Sequence, residues 1–281
     1  MSMMMENILF ATDLDGTLLN SAQQLYDYDI EKLNKMIQAG VKFTISTARS
    51  PASSAPCISG VDLKIPAVCL NGALLWDFSK DEAVQAYKIS EKTVLETENL
   101  LKEHALSALA FEKPSGGSMR IFYQDGISKS QIDYMRGRDF GGKRQYIKID
   151  HSFTNYEIIY FAMHDNIEKL TPVYNNILKI FGLSAVFYSD IYHLGTNFLE
   201  CYSSKTGKGQ GVINVKEITG AKKIYVFGDN FNDLAMFEIA DKSFATANAG
   251  ETIRLSADEI ILSNIESGVV KKISEICGMG N

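Results

Sequence analysis

Residues 7 to 12 (NILFAT) form a short apolar run that stops at Asp13-Leu14-Asp15-Gly16. A run this short and unalternated predicts a strand buried on both faces. A helical pattern follows at 26–39, with Ile30, Leu33, Met36 and Ile37 at helical spacing and Gly40 as the stop. Residues 41–46 predict a second strand, 51–59 a short helix, and 67–70 a third strand that turns at Asn71-Gly72. The far end repeats the style, with strands at 222–227, 243–246 and 259–262 and helices at 231–240, 250–256 and 266–277. This alternation predicts an α/β fold, a doubly wound parallel sheet with helices on both faces.

The middle differs. Strand-like runs at 83–89, 107–112, 118–123, 156–163 and 184–188 stand in mixed order with two helices. Ser90 is placed to cap the first helix, whose apolar face is Val94, Leu95, Leu100 and Leu101. Thr171-Pro172 reads as cap and first-turn proline of the second, with Tyr174, Ile177, Leu178 and Phe181 facing inward and Gly182 as the stop. The expected organisation is a core domain of 1–78 and 192–281 with an inserted α+β domain at 79–191.

Asp13 and Asp15 follow directly on the first strand, at the carboxyl end of the sheet, where open α/β folds place their ligand sites. Two carboxylates this close repel unless a divalent cation bridges them or one keeps its proton. A calcium loop would need Gly at its sixth position and Glu at its twelfth; here Gly16 is fourth and Gln24 twelfth. A plain Asp-Gly turn is also compatible with the residues. Neither a dinucleotide fingerprint nor a Walker A sequence is present. Near the other end of the chain, Gly228-Asp229-Asn230-Phe231-Asn232-Asp233 follows another strand and opens a helix. Asp229 and Asp233 are one helical turn apart and can face one crevice. Helix capping alone would need one such residue, not two acids and two Asn.

The pair DLDGT and GDNFND resembles the haloacid dehalogenase (HAD) superfamily of phosphotransferases. VKFTISTARS resembles its second motif, a strand ending in a phosphate-binding hydroxyl, here Thr47; the related subfamily has T-G-R where this chain has Thr47-Ala48-Arg49. Asn71-Gly72-Ala73 resembles its N-G-A segment, Glu200 through Lys208-Gly209 its E…K-G segment, and Asn248-Ala249 its late N-A pair. The motifs match over about 1–76 and 198–281, and the insert corresponds to a type IIB cap. The chain is thus similar to Cof-type, sugar-phosphatase-like hydrolases with a Rossmann-like core.

That resemblance implies Asp13 as a nucleophile forming an aspartyl-phosphate and Asp15 as general acid, then general base. It implies Mg²⁺ held by the carboxylates of Asp13 and Asp229 and the backbone carbonyl of Asp15, with Asp233 as a supporting carboxylate in the metal set. Thr47 and Lys208, with Lys205 as a rival, would bind phosphoryl oxygens, helped by backbone N–H groups near Leu14 and Asn232. Arg49 and Asn71 are expected to touch substrate near the phosphate. The insert should close over the site, and its loop KPSGGSMR, with Arg120, is either a substrate contact or a simple hairpin turn. The implied activity is phosphatase action on small phosphorylated metabolites, most plausibly sugar phosphates. A phosphomutase or phosphotransferase would use the same nucleophile. A non-catalytic binding module would show a damaged acid set, and every expected acid is present.

A net charge of −6 disfavours a nucleic-acid partner. It does not disfavour a phosphate ester, since four of the acids belong to the proposed site and Mg²⁺ with Lys208 would offset them locally. The four Cys have no CxxC spacing, and His104, His151, His164 and His193 form no cluster, so zinc is not expected. No signal peptide, membrane span or glycosylation sequon is read, which makes the expected site of action the cytoplasm. The oligomeric state is not legible.

Overall fold

The computed structural model describes residues 7–189 and 195–279; His193 lies outside them. The chain divides into two compact units, 1–84 with 207–281, and 85–206.

The first unit opens with β1 (Ile8–Thr12), buried at all five residues. Helix α1 (Asp27–Gln38) turns Leu33, Met36 and Ile37 inward. β2 (Lys42–Ile45) is followed by α2 (Pro51–Ser54), where Ser50 accepts from the N–H of Ser53 and Pro51 takes the first position, which needs no donor. β3 (Ala67–Cys69) then pairs antiparallel with β4 (Leu74–Asp77), and β5 (Glu82–Ala86) leads into the second unit.

The second unit contains α3 (Glu91–Glu103), β6 (Leu109–Glu112), β7 (Met119–Tyr123), α4 (Lys129–Met135) and β8 (Arg144–Lys148). It continues with β9 (Ile158–Asp165), α5 (Ile167–Ile177), β10 (Leu183–Ser189) and β11 (Asn197–Ser203). The sheet order is β10-β11-β9-β6-β7-β8, antiparallel except for the parallel pair β7–β8. Because β11 is bonded to both β9 and β10, the chain stays with this unit to Thr206 and does not return to the core at 192.

Ser90 caps α3 as expected, and Val94 and Leu101 are buried, but Leu95 faces out. The second helix differs from its sequence reading. It starts at Ile167, where the Asn166 side chain accepts from the N–H of Lys169, and Pro172 lies inside it. The buried residues are Leu170, Val173 and Ile177, while Leu178 and Phe181 are exposed. Burial of that i, i+3, i+7 stripe against the sheet outweighs the preference of proline for a first turn. The loop KPSGGSMR is a hairpin between β6 and β7, and Arg120 pairs with Glu112 through two bonds of 2.6 and 2.7 Å.

Back in the first unit, α6 (Lys208–Thr219) is followed by β12 (Lys223–Gly228), α7 (Leu234–Phe237), β13 (Lys242–Thr246), α8 (Glu251–Ser256), β14 (Glu259–Ile261) and α9 (Gly268–Ile276). The five-stranded sheet has the order β14-β13-β12-β1-β2 and is parallel throughout. Leu9, Ala11, Val212, Val215, Ile224, Val226 and Met236 form part of its buried core. The register sets Thr12 beside Phe227, so β1 and β12 end level with each other.

Candidate active site

That register brings the two acidic segments together. The N–H of Asp13 donates to the Phe227 carbonyl at 3.0 Å, one rung beyond the last strand pair. Asp229 follows β12 directly. A turn of tight helix over Phe231–Asp233 then swings Asp233 back toward the strand ends. Asp233 Oδ2 accepts from the N–H groups of Asp229 and Asn230, both at 3.0 Å.

Lys208 comes from the first position of α6 and is buried. Its Nζ donates to Asp13 Oδ1 at 2.6 Å and to Asp233 Oδ1 at 2.7 Å. The next residue shows why the helix can sit so close: a Cβ on Gly209 would lie 2.1 Å from the carbonyl oxygen of Ala235. Lys205, by contrast, is exposed.

Thr17, which sequence reading left without a role, donates to Asp229 Oδ1 at 2.6 Å. Gly16 has φ +78°, and a Cβ there would lie 2.3 Å from Asp229 Oδ2. Only glycine fits both constraints. The Gly16 carbonyl accepts from Asn248 Nδ2 at 2.8 Å, so the late N-A pair braces the first loop.

Two acids share one ammonium and a third, Asp229, stands close by, and the charges show it. Burial pushes the Asp13 carboxyl well above its usual range, and Asp233, Asp229 and Asp15 add to that, against the pull of Lys208. Asp229 is pushed up to about 7, first by burial and then by Asp233. Burial opposes the charge of Lys208, but its two carboxylate partners outweigh burial and hold the ammonium protonated.

Asp13, Asp229 and Asp233 each offer an oxygen, all within 4.8 Å of one another. Both oxygens of Asp233 are already engaged, by Lys208 and by backbone N–H groups. Among the described residues, Asp13 Oδ2 and Asp229 Oδ2 accept no hydrogen bond. Two unengaged hard oxygens in a site with excess negative charge fit a hard divalent cation.

The remaining expected residues fall around this centre. Thr47 is buried just past β2; its hydroxyl accepts from the Arg49 N–H at 3.2 Å and keeps its own proton to donate. Asn71 is buried at φ +50°, and its N–H donates to the Thr47 carbonyl. Asn232 Oδ1 is buried and has no hydrogen-bond partner among the described residues. Asp15 points elsewhere from Asp13: both its oxygens meet Arg49, at 2.6 and 2.7 Å.

The chain matches the haloacid dehalogenase-like hydrolase family over residues 10–273. It belongs to that family. Among relatives of this haloacid dehalogenase-like hydrolase is the pyridoxal phosphate phosphatase YbhA of Escherichia coli (strain K12), 24% identical over 276 residues, covering 94% of this chain and 97% of that one. Another is the 5-amino-6-(5-phospho-D-ribitylamino)uracil phosphatase YwtE of Bacillus subtilis (strain 168), 26% identical over 290 residues, covering 95% and 96%. The fold is shared with the HAD subclass IIB sugar phosphatase BT4131, with a TM-score of 0.72, 19% identity, and 96% and 99% of the two chains covered. The haloacid dehalogenase-like chain is therefore a phosphatase, with an α/β core and an additional cap sheet. Among the described residues no helix is long and apolar enough to cross a membrane.

Proposed function

We propose that this phosphatase hydrolyses small phosphate monoesters, sugar phosphates foremost, through an aspartyl-phosphate on Asp13, with Mg²⁺ as cofactor. The observation that carries the reading is the placement of Asp13 between Lys208 and Asp229 at the ends of two adjacent parallel strands. The names of the relatives support the substrate class, since each acts on a small phosphorylated compound. Four free cysteines support a cytoplasmic setting.

Asp13 and Asp229 carboxylates and the Asp15 backbone carbonyl would hold Mg²⁺, with Asp233 orienting Lys208. Bound there, the ion would neutralise charge on the phosphoryl oxygens and on Asp13. Asp13 attacks phosphorus along the line of the leaving group as a carboxylate, the ionised form that Lys208 and a bound cation favour. Lys208 and the Thr47 hydroxyl bind phosphoryl oxygens, and the backbone N–H groups near Leu14 and Asn232 complete the cradle. Asp15 gives its proton to the leaving oxygen, then takes one from the water that cleaves the aspartyl-phosphate.

The test is phosphate release from a panel of sugar phosphates, with and without Mg²⁺, by wild type and Asp13→Asn. Release by the wild type that needs Mg²⁺, with loss in the variant, is the expected result. Undiminished release by Asp13→Asn would end this mechanism.

A further inference from the structure

Resting on that reading, we infer that Arg49 is a positioning residue for Asp15, itself set by Gln23, and does not bind the phosphate. A guanidinium has five N–H groups in a fixed plane. On Arg49 the protein supplies five acceptors. Nε donates to Asp15 Oδ2 at 2.7 Å and Nη2 to Asp15 Oδ1 at 2.6 Å. Nη2 also donates to Gln23 Oε1 at 2.6 Å. Nη1 donates to the Ser53 carbonyl at 3.3 Å and to Cys57 Sγ at 3.2 Å. The count leaves no N–H for a phosphoryl oxygen.

The backbone of Arg49 is fixed as tightly as its side chain. Its N–H donates to Thr47 Oγ1 at 3.2 Å, and its carbonyl accepts from the Leu70 N–H at 3.0 Å. Gln23 stands in a turn at φ +58°, with its N–H donating to the Asn20 carbonyl at 2.9 Å. The chain has bent into a left-handed conformation at a non-glycine residue, and the side chain set there accepts from the guanidinium. Fork-to-fork pairing fixes the plane of the carboxylate as well as its distance, which a point charge would not do.

The chemistry gives that placement a purpose. In the first half-reaction an oxygen of Asp13 bonds to phosphorus, the bond from phosphorus to the leaving oxygen breaks, and the proton of Asp15 goes to that oxygen. In the second, the water oxygen bonds to phosphorus, the Asp13–phosphorus bond breaks, and the water proton goes to Asp15. Asp15 must therefore meet a leaving oxygen and later a water from one location. Release of one oxygen from Arg49, with the other still anchored, presents the carboxyl without losing its place.

The test compares phenyl phosphate, a poor leaving group, with p-nitrophenyl phosphate, a good one, through kcat/KM. Arg49→Met should lower the first by ~30–100-fold and the second by only ~3-fold, because proton delivery matters most where the leaving oxygen is basic. Arg49→Lys should restore little, since an ammonium cannot span both oxygens. Gln23→Gly keeps a backbone suited to φ +58° and should show the same selectivity at ~3–10-fold. That half-buried turn position serves as the test if Arg49→Met does not fold. Equal losses for both esters would make Arg49 a phosphate contact and overturn the inference, as would no loss in either variant. Failure of Asp13→Asn to lose both esters would instead strike the phosphatase reading.

Discussion

Lys208 Nζ lies 2.6 Å from Asp13 Oδ1, and the two side chains are only 1% and 8% exposed. An ion pair at that depth is costly to break from one side, because the carboxylates left behind have no water to turn to. Lys208→Met should destabilise the fold by about 3–5 kcal/mol in urea titration. It should also lower kcat by ~100-fold or more through loss of charge stabilisation at the phosphoryl group. A fully stable Lys208→Met would contradict the geometry.

Mg²⁺ affinity should depend on pH in a definite direction. Asp229 is pushed up to about 7 in the metal-free protein, and Asp13 is raised as well. Protons and cation compete for the same oxygens, so Mg²⁺ binding must release protons. The Mg²⁺ concentration for half-maximal phosphate release should rise as pH falls from about 8 to about 6. A flat dependence over that interval would mean that these carboxylates do not hold the ion.

Gly16→Ala sets a methyl group against Asp229 at a backbone angle that disfavours it. A loss of about 1–3 kcal/mol is expected. Weaker Mg²⁺ activation should accompany it, whereas Gly116→Ala, where a Cβ meets nothing within 4 Å, should leave Mg²⁺ activation alone.

Asp29 in the first turn of α1 offers a pH test away from the site. It is buried, accepts from Ser267 Oγ at 2.9 Å through Oδ2, and among the described residues has no partner for Oδ1. Burial raises its folded pKa, so the folded state binds the proton more tightly than the unfolded one. Its contribution to stability is then greatest below the ordinary carboxylate range, about 4, and falls as pH rises through it. Asp29→Asn should gain on the wild type between about pH 4 and 7 in urea midpoints. A constant difference across that range would exclude a raised carboxylate.

Asn166→Ala should cost about 1 kcal/mol, the worth of a helix cap. If the second helix instead began at Thr171-Pro172, Thr171→Ala would carry that loss and Asn166→Ala would be neutral.

What was legible in the sequence is what local patterning controls. Continuous apolar runs located β1 and β12, and acids at their ends located the cluster. Helix α6 escaped notice because Gly209 and Gly211 interrupt the apolar pattern where the helix packs closely, against Ala235 and Val68. In β8 only Arg144 is buried, so it carries no apolar run, and β11 has its place between β9 and β10. In α5, Pro172 carries a first-turn signal although it lies inside a helix that Asn166 caps. The partner of Arg49 was invisible for a similar reason, since Asp15 lies 34 residues away and only the fold brings the two together.

The pairing of Thr12 with Phe227 has one more consequence, for the making of the enzyme. A nascent chain carries Asp13 well before it has a β12 to lay beside β1. Asp13 is until then a solvated aspartate without Lys208, Asp229 or Asp233. The cluster is therefore complete only once β12 docks against β1.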